Sequence, residues 1–163
     1  MTISIVRADL HHLSILTPLF DAYRVFYQQV SDLHLAENFL RERIEAKQSV
    51  IFLALSTTEE SGSGLETGLG FVQLYPSFSS VSAQRLWILN DLFVEAQARR
   101  RGVAQALMNT ARDFAAKDGA KGLFLETAND NHGAQALYES LGYRRNTEYY
   151  YFLPSTVTKH ESP

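Results

Sequence analysis

Arg99, Arg100 and Arg101 run directly into Gly102 and a segment with helical periodicity, in a 163-residue chain whose net charge is -3. Like charges set side by side repel one another, and a helix start already gathers unpaired N–H groups and the positive end of a dipole. Such a corner suits an anion. Phosphate fits best, because its oxygens accept several N–H donors at once and a glycine lets the backbone approach without a Cβ in the way. Exposed arginines tolerate this crowding at a cost of about a few tenths of a kcal/mol each, so spacing alone leaves an anion site and a solvated surface equally open. The two standard nucleotide patterns are absent: there is no GxxxxGK[ST], and neither "GSG" nor "GLG" completes GxGxxG.

The elements around the corner follow from periodicity. Ile3 and Ile5 alternate with polar residues like a short strand, and Asp9 is placed to cap a helix that runs toward Tyr23, Phe26 and Tyr27. Pro18 predicts either a kink or the true start of that helix. A second helix from Asp32 carries Leu33, Phe39, Leu40 and Ile44 on one face. "SVIFLALS" and "TGLGFVQLYP" read as a hairpin around the turn "TTEESGSGLE", and a serine-rich loop covers Ser77 to Ser82. "QRLWILNDLFV" is apolar on both faces and predicts a strand covered on both sides.

Gly102 to Asp118 then forms a helix with Gly119 at its end, and "AKGLFLETA" a strand. Ala134, Leu137, Tyr138 and Leu141 stripe another helix ended by Gly142, and "EYYYFLP" predicts a last strand. The expected fold is α/β: a mixed, mostly antiparallel central sheet with helices on both faces, in one domain over residues 1–154, followed by a disordered tail over 155–163.

Composition narrows the function. A hydrophobic content of 45% supports a compact core, and mixed charges with a slight acidic excess argue against nucleic acid or an anionic membrane as partner. The absence of cysteine removes thiolate zinc sites and cysteine nucleophiles and fits a reducing compartment, so the cytoplasm is the expected location. No leader or membrane span is visible in the sequence. The five histidines show no metal-ligand spacing, and no metal is expected.

"LNDLFVEAQARRRGVAQALM" resembles the acetyl-CoA-binding segment of the GNAT superfamily of N-acetyltransferases. The family signature Q/R-x-x-G-x-G/A is met by Arg99, Gly102 and Ala104. "NHGAQALYESLGY" resembles a second family element, N-x-x-A-x-x-L-Y-x-x-x-G-F/Y, through Asn131, Ala134, Leu137, Tyr138, Gly142 and Tyr143. Within the superfamily, "DLFV" with this spacing is similar to the polyamine (diamine) acetyltransferases. Asn90-Asp91 departs from the acidic pair of those enzymes, and Ala96 stands where many members carry a turn proline.

The resemblance implies that acetyl-CoA lays its pyrophosphate on the N–H groups of Arg100, Arg101, Gly102, Val103, Ala104 and Gln105, with Arg99 or Arg101 also reaching the phosphates. Main-chain groups of Leu92, Phe93 and Val94 would pair with the pantetheine arm like an added strand. Asn131 would hydrogen-bond the same arm, and an N-cap role is open beside it. Tyr138 is the implied acid for the departing thiolate, although its place on an apolar stripe also fits a packed tyrosine. Asp91, a carboxylate inside an apolar strand, is the candidate base for the acceptor amine, with a purely electrostatic role as the alternative. Glu126 is a second acid whose simpler reading is a surface group. Tyr23, Tyr27, Tyr75, Phe78 and Trp87 are aromatic candidates for the acceptor pocket, or core.

The function expected is transfer of acetyl from acetyl-CoA to a small-molecule or peptide primary amine by direct attack in a ternary complex. The alternatives are an acyl-CoA-binding sensor without catalysis and, remotely, a nucleic-acid-binding domain. The aromatic "EYYYFLP" segment suggests a homodimer contact.

Overall fold

A computed structural model of the chain describes residues 2–57 and 66–155. The turn expected between the first hairpin's strands and the tail from residue 156 lie outside the described residues. The chain divides into two compact units, one ending at Ala128 and the other beginning at Asn129.

The first unit is built on a sheet of strands β1 (Thr2–Arg7), β2 (Val50–Thr57), β3 (Glu66–Ser79), β4 (Gln84–Val94) and β5 (Leu123–Phe124), paired in that spatial order. All neighbours are antiparallel except β4 and β5, which are parallel. Helices α1 (Leu13–Phe26) and α2 (Leu33–Glu45) follow β1, and α3 (Val103–Lys117) follows β4. The mixed, mostly antiparallel sheet read from the pattern is present. β3 runs on through Pro76 to Ser79, so the first half of the serine-rich stretch expected as a loop is strand and only residues 80–83 turn.

Helix starts are fixed by side chains. Asp9 accepts from the His11 N–H at 2.9 Å and, with His12, closes a capping box at a short 3-10 turn that leads into α1. Pro18 lies inside α1 and does not open it. Asp32 caps α2 by accepting from Leu35 N–H at 2.9 Å. On α2 the buried residues are Ala36 and Leu40, and Leu33, expected on the buried stripe, is exposed.

The two sheet faces bury different sets. Leu16, Phe20 and Leu40 from α1 and α2 pack with Ile51, Leu53, Leu55, Phe71 and Phe93 from the sheet. On the other face Phe114 of α3 meets Phe52 and Trp87, with ring centroids 5.6 and 5.1 Å apart. Each large apolar side chain withdrawn from water contributes about 1.5–3 kcal/mol.

The second unit contains helix α4 (His132–Ser140), followed by Gly142 at φ 90°. The strand predicted at "EYYYFLP" does not form. Residues 144–154 have no regular structure, and Tyr149 to Leu153 are all exposed. High strand propensity cannot build a strand without a ladder partner to receive its N–H and C=O groups. β5 is likewise cut to two residues of the longer strand expected.

Asp21, buried near the end of α1, ties down the segment between α1 and α2. It accepts from the Ser31 hydroxyl at 2.6 Å, the Asp32 N–H at 2.8 Å and Arg24 at 3.5 Å. The Ser31 hydrogen bond, then that of Asp32 and the Arg24 charge, hold its carboxyl below the usual carboxylate range against the opposing effect of burial. A lowered folded value means the stabilisation is fully present above the unfolded value of about 4 and is lost as pH falls from there through the lower folded value. Asp21→Asn is expected to destabilise the protein by about 1–3 kcal/mol at pH 7, the gap to wild type closing below about pH 4 in denaturant titrations.

Gly70 faces Val94 in the ladder, and a Cβ there would lie 2.4 Å from the Phe93 carbonyl oxygen. Only glycine admits that backbone approach. Gly70→Ala is expected to cost about 1–3 kcal/mol in denaturant unfolding as the end of β4 is pushed aside.

Candidate active site

The ladder between β3 and β4 skips a residue: Gln73 pairs with Asp91 and Leu74 with Leu89, leaving Asn90 as the extra residue of a bulge. An inserted residue reverses the alternation of faces along a strand. Trp87 and Leu89, before the bulge, lie on the α3 side, as the Trp87–Phe114 contact records. Phe93, beyond it, packs against Phe71 and Tyr23 on the α1 side, with centroids 6.4 and 6.5 Å apart. Asp91 therefore shares the α1 face with Gln73, the residue opposite, and with Tyr75 two residues further along β3.

Asp91 is buried at 3% exposure. Its Oδ1 accepts from Asn90 Nδ2 at 2.8 Å, and its Oδ2 accepts a short hydrogen bond from Gln73 Nε2. Burial, then the charge of Asp91 and a hydrogen bond donated to it, push the Tyr23 hydroxyl far above the ordinary tyrosine value. Burial and Asp91 act on Tyr75 in the same direction, partly offset by Arg43. Both phenols are thus held neutral beside a carboxylate. Gln73 is fully buried, and its Oε1 has no hydrogen-bond partner among the described residues, an omission that costs about 1–3 kcal/mol.

Of the five aromatic candidates for an acceptor pocket, Tyr23 and Tyr75 flank Asp91, and Tyr27 is an exposed neighbour of Tyr23 at 5.0 Å between centroids. Trp87 does not belong to this group: it is buried on the opposite face, and its Nε1 donates to Asp118 at 2.9 Å. Phe78 is exposed beneath the Arg85 guanidinium. Glu126 is exposed. Sequence reasoning missed Gln73; the signal available was a single amide inside the apolar run "GFVQLYP".

The parallel ladder to β5 ends at Ile88 and Phe124, so among the described residues the β5-side edge of Leu92, Phe93 and Val94 carries no strand partner. This is an edge on which an extended amide chain can pair. Directly after it the chain turns through Arg99, Arg100 at φ 59° and Gly102 at φ 78° into α3. Among the described residues no side chain caps α3, and its first internal bond runs from Ala106 N–H to Gly102 O. The N–H groups of Val103, Ala104 and Gln105 therefore have no acceptor within the helix. The space around Gly102 is open. Exposed Arg99, Arg100 and Arg101 surround this corner. Arg99 donates from Nε to the Val94 carbonyl at 3.0 Å, bracing the strand end against the loop.

Asn131 and Tyr138 share α4 in the second unit. Asn131 is its N-cap and accepts from Ala134 N–H at 3.3 Å. Tyr138 is half-buried, its ring 6.1 Å from that of Tyr143. Among the described residues no group of three or more His, Asp or Glu side chains is arranged to hold a metal ion.

Removing the Arg99 brace leaves the loop free to shift away from the strand end. Arg99→Ala is expected to weaken acetyl-CoA binding by about tenfold, from the loss of one charge-assisted hydrogen bond, as read by calorimetric titration with an unchanged melting temperature.

Residues 16–143 match the model of the acetyltransferase (GNAT) family. The chain is 45% identical over 144 residues to YhfO, an uncharacterized N-acetyltransferase of Bacillus subtilis, with 88% of this chain and 91% of the relative covered. A crystal structure of a probable acetyltransferase superposes with a TM-score of 0.83 at 42% identity, covering 94% of this chain and 99% of the other. The fold is also similar, at a TM-score of 0.74 and 20% identity over 95% and 96% of the two chains, to an aminoglycoside N-acetyltransferase solved in complex with CoA. An uncapped helix start behind an unpaired strand edge, a family model spanning most of the sequence and a relative matched nearly end to end agree: the chain belongs to the GNAT family of acetyltransferases.

Proposed function

We propose that the protein moves the acetyl group of acetyl-CoA to a primary amine bound beside it, with no covalent enzyme intermediate. Asp91 takes the ammonium proton, and Tyr138 supplies a proton to the departing thiolate. The observation that carries the reading is the bulge at Asn90, which turns a buried carboxylate onto the α1 face just where β4, past Ile88, has no strand partner on its β5 side among the described residues.

Acetyl-CoA supplies the activated acyl group. The residues of this chain fit it: the open N–H groups at the start of α3 and the exposed arginines suit a pyrophosphate, and the edge of Leu92 to Val94 suits the amides of the pantetheine arm. An alkyl ammonium is mostly protonated at neutral pH, and presenting it as free amine costs about 4 to 5 kcal/mol without help. Asp91 offers a nearby acceptor for that proton, and neutral Tyr23 and Tyr75 offer rings and hydroxyls to a cation. Asn90 leaves one carboxylate where the polyamine enzymes have two acids, so the acceptor is read as a primary amine in general. An alkyl diamine is the first probe to try.

The test is thiol release from acetyl-CoA in the presence of an alkyl diamine, an aminoglycoside and a peptide with a free N-terminal alanine. Tyr138→Phe and Asp91→Asn are each expected to lower kcat about 10²- to 10³-fold at pH 7. The Asp91→Asn deficit should shrink as pH approaches about 10, where the amine loses its own proton. Release insensitive to both substitutions would overturn these roles, and tight acetyl-CoA binding with no amine turned over would identify a sensor.

A further inference from the structure

We propose that Gln73 is a positioning residue for the reaction: its side-chain amide holds the Asp91 carboxylate while the amine's proton is awaited and turns to hold the acid once it has arrived. The inference rests on the reading of Asp91 as the proton acceptor.

Gln73 lies opposite Asp91 in the ladder, on the face shared with Phe71 and Tyr75, and is fully buried. A valine or leucine would fill such a place in β3 at no polar cost, as Val72 and Leu74 do on the other face. The amide instead spends one end on Asp91 Oδ2 and leaves the other, Oε1, buried with no partner. A purely structural amide satisfies both ends. One satisfied end and one open end, beside a group that gains and loses a proton, is a different arrangement.

A carboxamide is a donor at nitrogen and an acceptor at oxygen. While Asp91 is a carboxylate, Nε2 donates to it. When the ammonium gives up its proton, the N–H electron pair stays on nitrogen as the attacking lone pair and the proton goes to the Asp91 carboxylate. The new O–H then needs an acceptor. A half-turn of the amide plane brings Oε1 to the place Nε2 held, and the broad torsion at the end of a glutamine side chain makes that turn accessible. Asn90 accompanies Oδ1 from the solvent side. Gln73 therefore keeps Asp91 hydrogen-bonded in the same orientation in both states, without exchanging the proton itself and without touching the amine or the thioester.

The experiment compares wild type, Gln73→Met, Gln73→His, Asp91→Asn and the Gln73→Met/Asp91→Asn double variant, with melting temperature and acetyl-CoA affinity reporting the fold of each. Methionine matches glutamine in length and has no N–H donor, whereas histidine restores a ring nitrogen able to donate or accept. With the alkyl diamine as acceptor, Gln73→Met is expected to lower kcat about tenfold or more at unchanged KM for acetyl-CoA. Gln73→His should recover part of that loss, and Gln73→Met should add less than about twofold to Asp91→Asn, because coupled residues are not additive. A Gln73→Met variant with wild-type kcat, or losses that multiply in the double variant, overturns the inference. Full activity in Asp91→Asn overturns the reading of the base instead. A turnover-independent readout is the pair of Gln73 side-chain amide resonances during titration with butylamine. They are expected to move in wild type and to stay fixed in Asp91→Asn, and resonances unmoved in wild type overturn the inference.

Discussion

One extra residue in β4 decides what each face of the sheet can do. Without the bulge at Asn90, unbroken alternation would carry Trp87, Leu89, Asp91 and Phe93 to a single side, and the carboxylate would be pressed among the apolar residues that meet Phe114 of α3. With it, β4 keeps Trp87 and Leu89 for the α3 core and gives Phe93 to the cluster under α1, so neither face loses its aromatic filling. Asp91 emerges on the side that offers amide and hydroxyl donors. The bulge also falls just after the last β4–β5 pair, so the chain loses its strand neighbour and changes face within a few residues.

The corner beyond β4 depends on that geometry in turn. A helix start without a cap exposes donors that must be met by solvent or ligand. Here the chain also takes two residues through left-handed backbone, Arg100 and Gly102, of which only the glycine adopts it without steric cost. Such a turn keeps its shape when something outside it holds the loop, and the Arg99 hydrogen bond to Val94 does so. The same residue that opens the family motif thus ties the helix start to the strand edge. The pyrophosphate and pantetheine ends of the proposed ligand would meet two stretches of backbone joined by that hydrogen bond.

The sequence made some of this legible and concealed the rest for definable reasons. Amphipathic stripes marked α2, α3 and α4 because burial on one side of a helix leaves a periodic trace. Asp9 was readable as a cap, and Asn131 as a cap beside its other open role, because capping is local. Strand pairing is not local. "EYYYFLP" has the composition of a strand and stays irregular, because composition carries no information about who supplies the partner. The apolar run of β4 hid its bulge for the same reason, since a change of face is invisible where both faces are buried. Gln73 and Asp91 lie eighteen residues apart in the chain, and only the register joins them. Trp87 was grouped with the acceptor aromatics because residue type cannot say on which side of the bulge it falls.

The environment of Asp91 also bears on which tyrosine can act as an acid. The chain has eight tyrosines, and a group that must surrender a proton to a thiolate is hampered by anything that makes its own anion costly. Tyr23 and Tyr75 are in that position: burial and the charge of Asp91 both oppose their ionisation. The carboxylate beside them therefore makes these two phenols the poorer proton donors. The base side of the chemistry and the acid side need opposite fields, since a negative charge that welcomes an ammonium also stiffens every phenol beside it. Tyr138, the acid proposed above, is carried on α4 and not on α1 or β3, the elements that supply Tyr23 and Tyr75.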